Sequence, residues 1–263
     1  EESKMAPLDS SLDSKYNVIG KRVPRPDGID KVTGRAQYGA DFYSPNMLFA
    51  KVLRASLPHA RIKSIDISAA EKLSGVKAIV TSTDFNNISV DADRDVLENC
   101  IAHDRVLYDG HGVAAVAATS NSVAKAALKL IKVEYEKLPF VTDVDEAMKL
   151  DAPIIHKGRV LENVPKGFSK NVTSFCEFGH GDLDSGFAKS DKIIERTFKT
   201  AATHQGYIEP HACLAIMGSD GKADLWCCTQ GHYHVRGVCA EIMGMETSQL
   251  RVIPSEIGGG FGG

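Results

Sequence analysis

The sequence predicts a mixed α+β fold built as two units, and three observations support that prediction. Residues 29–150 alternate short apolar, strand-like runs with two helical patterns. Residues 151–181 accumulate proline, glycine and asparagine without hydrophobic periodicity, which is typical of a linker between domains. Residues 182–263 then combine a hairpin pattern, an amphipathic helix and a strand. Residues 1–28 are polar and interrupted by prolines, so we expect them to form an extended arm.

The first unit is predicted to be rich in strands. Apolar and β-branched residues dominate the runs in which strands are expected, which are residues 47–54, 62–67, 76–81, 113–118 and 133–136. The polar stretch 82–104 is expected to be a loop. No cluster of chemically useful side chains accompanies these runs, so the unit is either a scaffold or a substrate-binding module.

Two helices are predicted within the first unit. One is expected to begin at Ser68, with Glu71 completing a capping box and Gly75 following its end. The other is expected over about residues 121–129, where apolar side chains recur at helical spacing. We interpret His59, His103, His111 and His156 as structural residues because each stands alone in the sequence.

The second unit has a clearer order of elements. A short helical turn is expected over residues 182–188 and a strand over 192–198. Asp220 and Gly221 lie between two apolar runs, which predicts a hairpin. An amphipathic helix with an apolar stripe from Val235 to Met243 is followed by a strand over 250–253.

Composition excludes several classes of protein. Of 263 residues, 43% are hydrophobic and 25% charged, and the net charge of -3 comes from interspersed acids and bases. That pattern is typical of a soluble globular protein. It does not indicate the basic surface patch with which a protein binds nucleic acid or an anionic membrane. No apolar run reaches the roughly 18 residues that span a bilayer.

The cysteine pattern and the first residues indicate a cytoplasmic protein. The six cysteines form no Cys-x-x-Cys pair, so an iron–sulfur cluster or structural zinc held by this chain alone is not expected. Several of them lie in apolar runs, where reduced cysteine behaves as a small hydrophobe. The first residues also lack the charged-then-apolar layout of a secretory signal.

The glycine-rich stretch 258–263 is the first candidate site. Five glycines surround Phe261, so the backbone N–H groups can approach a ligand closely while one ring covers it. The stretch does not match a nucleotide-binding P-loop, and no dinucleotide-type strand–loop–helix unit surrounds it. The alternative interpretation is a flexible terminus or linker.

The second candidate site is the start of the amphipathic helix. Gln230 and Gly231 lie there, where free N–H groups and the helix dipole favour an anion. Gln230 could equally serve only as a helix cap. His232 and His234 point to different sides of a helix, so we do not expect them to share a metal.

Two carboxylate pairs could act as general acid and base. The candidates are Asp182 with Asp184 and Glu195 with Glu209. Their separation in the sequence does not determine the distance between their carboxylates, so neither pair is assigned a role.

Taken together, these segments resemble the molybdopterin-binding large subunit of the xanthine dehydrogenase and aldehyde oxidase family. The most specific motifs are Glu-Pro-His at 209–211, Thr-Gln at 229–230 and Gly-Gly-Gly-Phe-Gly-Gly at 258–263. The other segments that carry the resemblance are residues 30–41, 57–60, 113–118, 133–135, 138–139, 181–182, 195–198 and 204–205. The resemblance implies an α/β hammerhead domain over 29–150 and the first, incomplete part of a molybdopterin-binding domain over 182–263.

The resemblance also implies a site and a chemistry. Relatives hydroxylate an aldehyde or an N-heterocycle with water as the oxygen source, using a molybdopterin cofactor. The cofactor contacts carried over are Gln230, Gly231, Gly260, Phe261 and Gly262, with Gln230 and Phe261 near the molybdenum but not bound to it. A 2Fe-2S cluster and FAD are expected on partner subunits or chains.

This sequence departs from the family in two places. The glutamate that acts as the family's base lies downstream and is not in this sequence, so we expect no turnover from this chain alone. The remaining C-terminal part of the large subunit, or a second molybdopterin subunit, would complete the site. The run 109–112 also replaces the family's usual Gly-Glu/Gln-Pro, so any contact made there is not carried over. The alternative is a non-catalytic assembly module that docks on a partner through its glycine-rich tail.

Overall fold

The structure, a computed structural model, describes residues 16–85, 94–156, 164 and 166–262. Most of the predicted arm, part of the predicted linker and Gly263 therefore lie outside the described residues. The helices are α1 Gly28–Thr33, α2 Ser68–Glu71, α3 Arg94–Cys100, α4 Asn121–Leu128, α5 Val144–Ala147, α6 Leu183–Ala188 and α7 His232–Ile242. The strands are β1 Phe49–Arg54, β2 Ala60–Asp66, β3 Val76–Thr81, β4 Arg105–Val106, β5 Gly112–Ala118, β6 Lys132–Lys137, β7 Cys213–Met217, β8 Ala223–Cys227 and β9 Leu250–Pro254.

The first six strands form two antiparallel sheets. In one sheet β5 lies between β1 and β3, and in the other β2 lies between β4 and β6. The central strand β5 is built largely from valine and alanine and is buried along most of its length. Ala124 and Ala127 of α4 pack against this strand. Small side chains on both elements let their backbones approach closely, which explains the apolar run at 113–118.

The helices α2 and α4 begin with different capping interactions. Ser120 caps α4, because its hydroxyl accepts a hydrogen bond from the Val123 N–H at 3.2 Å. The predicted capping box at Ser68 is wrong. Asp66 instead accepts the Ser68 N–H at 3.0 Å, and the Glu71 side chain makes no cap. An aspartate two residues upstream therefore accepts the N–H that Glu71 would accept in a capping box.

The polar stretch predicted to be a loop contains helical structure. Residues 82–85 form a 3-10 turn and α3 occupies Arg94–Cys100, while 86–93 lie outside the described residues. A helix of 7 residues with few apolar positions gives almost no periodic signal, so the sequence prediction is wrong here. His111, which is fully buried, fixes the end of this helix because its Nε2–H donates to the Glu98 carbonyl at 2.7 Å.

His111 has a defined tautomer. Its Nδ1 accepts the Leu107 N–H at 3.1 Å, so the proton resides on Nε2. Burial lowers the pKa of the imidazole, which keeps the ring neutral. His111 is thus a structural histidine, as the sequence predicted.

The last three strands form a separate sheet in the order β7, β8, β9. β7 and β8 are antiparallel and joined by the predicted turn, in which the Gly218 N–H donates to the Lys222 carbonyl at 2.7 Å. β8 and β9 are parallel, with α7 as the crossover between them. Ala240 of α7, Cys227, Leu250 and Val252 form the core beneath this sheet.

The prediction of a strand over residues 192–198 is wrong for the part of the chain that the structure describes. These residues join none of the three sheets, and all of them are exposed. Their β-branched and aromatic composition favours an extended backbone, but a strand is stable only with a neighbour to receive its hydrogen bonds. The short helix predicted just before them is confirmed as α6, which Asp182 caps by accepting the Ser185 N–H at 3.1 Å.

Within the described residues, none of the helices has the length and apolar character needed to cross a membrane.

Candidate functional site

The candidate site lies at the carboxyl ends of the parallel strands β8 and β9. β8 ends at Cys227, and the chain turns through residues 228–231 into α7. β9 ends at Pro254 and leads into the glycine-rich loop. In open α/β sheets ligands bind in the crevice outside the carboxyl ends of the strands, and both predicted site segments lie there.

Gln230 and Gly260 are in direct contact. A Cβ placed on Gly260 would overlap the Gln230 side chain, lying 2.7 Å from its Nε2 and 2.8 Å from its Cγ. The absence of a side chain at Gly260 therefore lets the Gln230 amide pack on the loop backbone. The two segments predicted as separate candidate sites form one wall.

The start of α7 presents backbone donors beside that amide. Gly231 is the N-cap residue and no side chain caps the helix from this position. Its own N–H donates to the Thr229 hydroxyl at 3.0 Å, which orders the turn between β8 and the helix. With 11 residues, α7 is long enough for its dipole to add a positive potential at this end.

Glu209 is a site residue to which sequence spacing alone assigns no role. One oxygen of its carboxylate accepts the Gly258 N–H at 2.7 Å, and the other accepts the Gly39 N–H at 3.1 Å. Gly39 precedes β1, whereas Gly258 begins the glycine-rich loop. A single half-buried carboxylate thus ties the first unit to the loop, and the Glu-Pro-His motif is the only signal in the sequence that could have found it.

Lys31 anchors the residues just before the loop in a similar way. Its ammonium donates to the Ile257 carbonyl at 2.9 Å and lies 3.3 Å from the Glu256 carboxylate. Partial burial lowers the pKa of Lys31, but the hydrogen bonds to Glu256 and Asp27 outweigh that effect and hold the pKa above its usual value. The ammonium is therefore charged at neutral pH, which keeps this anchor in place.

Tyr207 and His211 line the same small cavity as Gln230. The Tyr207 hydroxyl and the His211 Nε2 lie 2.6 Å apart. Both residues line a cavity of about 30 Å³ together with Glu209, Cys228, Thr229, Gln230, Ile257, Gly259 and Gly260. A cavity of that size holds only a water molecule or two, so a larger ligand must lie against the open side of this wall.

Phe261 and Gly262 lie at the tip of the loop. Phe261 has a positive φ of 55°, and 73% of its surface is exposed. A Cβ on Gly259 would lie 3.2 Å from Cε2 of Phe261, so the ring folds back beside the loop. Phe261 and Gly262 are not among the residues that line the small cavity.

Among the described residues, histidine, cysteine and carboxylate side chains form no group of three or more that could hold a metal ion.

Cys227 gives a direct test of how tightly the sheet is packed. Burial, and then the neighbouring Cys213, raise the pKa of the Cys227 thiol to about 11. At pH 8 only about one such thiol in a thousand is the reactive thiolate. We expect iodoacetamide at pH 8 to alkylate Cys227 at least about tenfold more slowly than the exposed Cys176, as followed by peptide mass spectrometry. Equal rates would show that the end of β8 is open to solvent.

Two family models match the chain. One describes the a/b hammerhead domain of aldehyde oxidase and xanthine dehydrogenase and matches residues 33–139. The other describes a molybdopterin cofactor-binding domain and matches residues 164–263. The chain belongs to the aldehyde oxidase and xanthine dehydrogenase family. Both the resemblance and the fold class predicted from the sequence are confirmed, with the hammerhead domain first and the molybdopterin-binding domain after it.

Individual members of the family match along nearly the whole chain. A probable xanthine dehydrogenase subunit of Bacillus subtilis is 35% identical over 243 residues, covering 91% of this chain and 31% of the relative. The nicotinate dehydrogenase large molybdopterin subunit of Eubacterium barkeri is 32% identical over 251 residues, covering 94% of this chain and 56% of the relative. The chain therefore spans between about a third and about half of these relatives.

A solved structure of the family matches the fold. The crystal structure of quinoline 2-oxidoreductase from Pseudomonas putida 86 superposes with a TM-score of 0.78 at 28% identity. The match covers 92% of this chain and 31% of that one. The positions of the hammerhead and molybdopterin-binding parts are thus those of a known family architecture.

Proposed function

We propose that this chain binds a molybdopterin cofactor against the wall formed by Gln230 and the glycine-rich loop. On this proposal it is part of a molybdenum hydroxylase that oxidises an aldehyde or an N-heterocycle with water as the oxygen source. The observation that carries the proposal is the packing of the Gln230 amide on Gly260 at the carboxyl ends of two parallel strands. The match of residues 164–263 to a molybdopterin cofactor-binding domain supports it.

The residues present suit an anionic, oxygen-rich group. The wall offers a neutral amide, a helix N-terminus and a loop whose glycines let backbone N–H groups come close. The acidic side chain at the wall, Glu209, is already engaged within the chain, because each of its oxygens accepts a backbone N–H. The small cavity between these groups leaves room for no pterin, so the group would lie on the open side of the wall.

Each residue then has a defined task. Gln230 would donate its amide N–H to an oxygen of the bound group, and Gly231 and Gly260 would present backbone to it. Phe261 and Gly262 would border the group from the loop tip, with Gln230 and Phe261 near the molybdenum. When bound, the cofactor supplies the two-electron redox chemistry, whereas these residues only hold and orient it.

The chain would work within a larger assembly. We propose partners that supply the rest of the molybdopterin-binding subunit, a 2Fe-2S cluster and FAD, in a cytoplasmic complex that takes a small-molecule substrate. The Bacillus and Eubacterium relatives are both named as subunits, and the second as a large molybdopterin subunit, which supports this arrangement. The base that the family uses would come from a polypeptide region outside residues 1–263.

Substitution of Gln230 by alanine tests the proposed contact. We expect the Gln230→Ala complex to keep its subunits but lose molybdenum and pterin at least about tenfold, since a charge-assisted hydrogen bond is worth about 1.5–3 kcal/mol. Metal analysis and pterin fluorescence of the purified complex measure this loss. Gln249→Ala is the matched control, because it removes the same amide from a cap outside the site.

Two outcomes would contradict the proposal. Full molybdenum content in the Gln230→Ala complex would show that the contact is misplaced. A native complex that retains its partners but contains no pterin would instead support the assembly-module alternative.

A further inference from the structure

Two cysteines lie opposite one another at the end of the hairpin that leads into the candidate site. Cys213 is the first residue of β7 and Cys227 is the last residue of β8, and the antiparallel register pairs them directly. Residues that are directly opposed in a sheet point their side chains to the same face. The two thiols are therefore neighbours, and both cysteines are free.

The hydrogen-bond pattern of the hairpin places this pair at a narrow position. In an antiparallel ladder, hydrogen-bonded pairs alternate with pairs that exchange no hydrogen bonds, and in the second kind the Cα atoms are only about 4.5 Å apart. The next pair along, Ala212 with Cys228, is hydrogen-bonded, because the Cys228 N–H donates to the Ala212 carbonyl at 3.5 Å. The 2.7 Å hydrogen bond that closes the turn of the hairpin gives the same alternation when counted from the other end. Cys213 with Cys227 is thus a pair of the narrow kind.

This separation suits a disulfide bond. Bridged cysteines usually have Cα atoms roughly 4.4–6.8 Å apart, and a narrow cross-strand pair falls within that range. The pKa of the Cys227 thiol supports the closeness of the two sulfurs, because Cys213 raises it more than any other neighbouring group does. Cys228 and Cys239 raise that pKa less. The neighbour that best fits a bond to Cys227 is therefore Cys213.

The two thiols differ in their access to solvent. Cys213 belongs to β7, which lies at the edge of the sheet, and it is exposed. Cys227 is buried in the core with Ala240 of α7. A small molecule in solution can reach the first sulfur directly but not the second. Cys213 is therefore the thiol that reacts first, and Cys227 is the thiol that completes the bond.

We infer that Cys213 and Cys227 form a reversible disulfide, so that this end of the hairpin is a modification site for a small disulfide such as glutathione disulfide. The Cys213 thiolate attacks one sulfur of glutathione disulfide, and one glutathione leaves and takes up a proton. The Cys227 thiolate then attacks the Cys213 sulfur of the mixed disulfide and releases the second glutathione. Together the two cysteines lose two electrons and two protons, and glutathione disulfide gains them and becomes two thiols. An added dithiol reverses both steps.

The bond would lock the strand end that leads into the wall. Cys227 lies three residues before Gln230, and the chain turns between them. The last pair of the reduced hairpin rests on long contacts, since the Ala212 N–H donates to the Cys228 sulfur at 3.4 Å and the return bond measures 3.5 Å. A covalent link at the adjacent pair should make this end open less often. The amide hydrogens of residues 228–231 should therefore exchange with solvent more slowly in the oxidised protein.

Oxidation of the purified complex tests the inference. The complex is incubated with glutathione disulfide at about pH 8.5, where more of each thiol is ionised, and the remaining thiols are then alkylated. Mass spectrometry of unreduced peptides should find the Cys213–Cys227 pair at least about fivefold above any other pair of cysteines in this chain. Dithiothreitol should remove it.

Two single substitutions are matched to this test. Cys213→Ser should abolish the bond, and its circular dichroism should match that of the unchanged protein because the side chain is exposed. Cys176→Ser is the control, since it removes another exposed thiol outside the hairpin and should leave the yield unchanged.

Hydrogen exchange adds a second readout. In the oxidised complex, exchange over residues 228–231 should slow by at least about threefold relative to the reduced complex. The Cys213→Ser complex, treated with glutathione disulfide in the same way, should show no such change. These measurements need neither molybdenum nor pterin, so their outcome is independent of the proposed function.

Several results would overturn the inference. Both thiols could remain open to alkylation after the treatment, or glutathione could stay bound to Cys213 without closure onto Cys227. A bridge from Cys227 to Cys239, or between two copies of the chain, would likewise show that the cross-strand pair is not the site. Unchanged exchange over residues 228–231 in the bridged protein would refute the lock.

Discussion

Replacing Glu209 by glutamine should loosen the glycine-rich loop and lower the free energy of unfolding by about 1–2 kcal/mol. Both carboxylate oxygens accept backbone N–H groups, from Gly258 at 2.7 Å and from Gly39 at 3.1 Å. Glutamine has the same shape but turns one acceptor into an NH₂ donor. One backbone N–H would then face a donor and lose its partner.

The loss should appear in both stability and cofactor content. Thermal unfolding of the purified complex should shift down by a few degrees, and molybdenum content should fall because the loop no longer holds its position beside Gln230. Glu71→Gln is the control, since its carboxylate is exposed and makes no cap. An unchanged melting temperature for Glu209→Gln would show that the two backbone bonds do not hold the loop.

Replacing Gly260 by alanine should remove most of the bound cofactor with little effect on folding. The new Cβ would lie 2.7 Å from Nε2 and 2.8 Å from Cγ of Gln230, closer than real Cβ atoms approach other atoms. The φ of Gly260 is not in the left-handed region, so the backbone tolerates alanine. Gln230 is exposed and can swing away, so the expected cost in stability is below about 1 kcal/mol, whereas its amide leaves the wall.

The expected measurement is a loss of molybdenum and pterin of about the size seen for Gln230→Ala. Gly237→Ala is the matched control, because a Cβ there meets open space in the middle of α7. The double variant Gly260→Ala with Gln230→Ala should lose no more cofactor than Gln230→Ala alone, since the clash acts through that side chain. Additive losses would mean that Gly260 acts independently of Gln230.

Local chemistry is the part of this fold that can be predicted from the sequence. The hairpin at Asp220 and Gly221, the amphipathic helix and the strand after it follow from turn preference and periodicity, and all three are present. The capping box predicted at Ser68 is absent because Asp66 competes for the same N–H. The helix Arg94–Cys100 escapes prediction because so short and polar a helix has no apolar stripe.

The family, the two domain types and the two segments that form the candidate site can be recognised without any structure. Each of these features depends on motifs of contiguous residues, such as the Gly-Gly-Gly-Phe-Gly-Gly run and the Thr-Gln pair.

How these segments meet depends on the tertiary fold. The parallel pairing of β8 with β9 brings Gln230 onto Gly260. Glu209 holds the loop through hydrogen bonds to backbone groups 170 and 49 residues away in the sequence. Lys31 contacts the residues before the loop through a hydrogen bond that spans 226 residues. Propensities act over a few neighbours, whereas packing decides which distant residues touch. For the same reason residues 192–198 have the composition of a strand but no strand partner within the described chain.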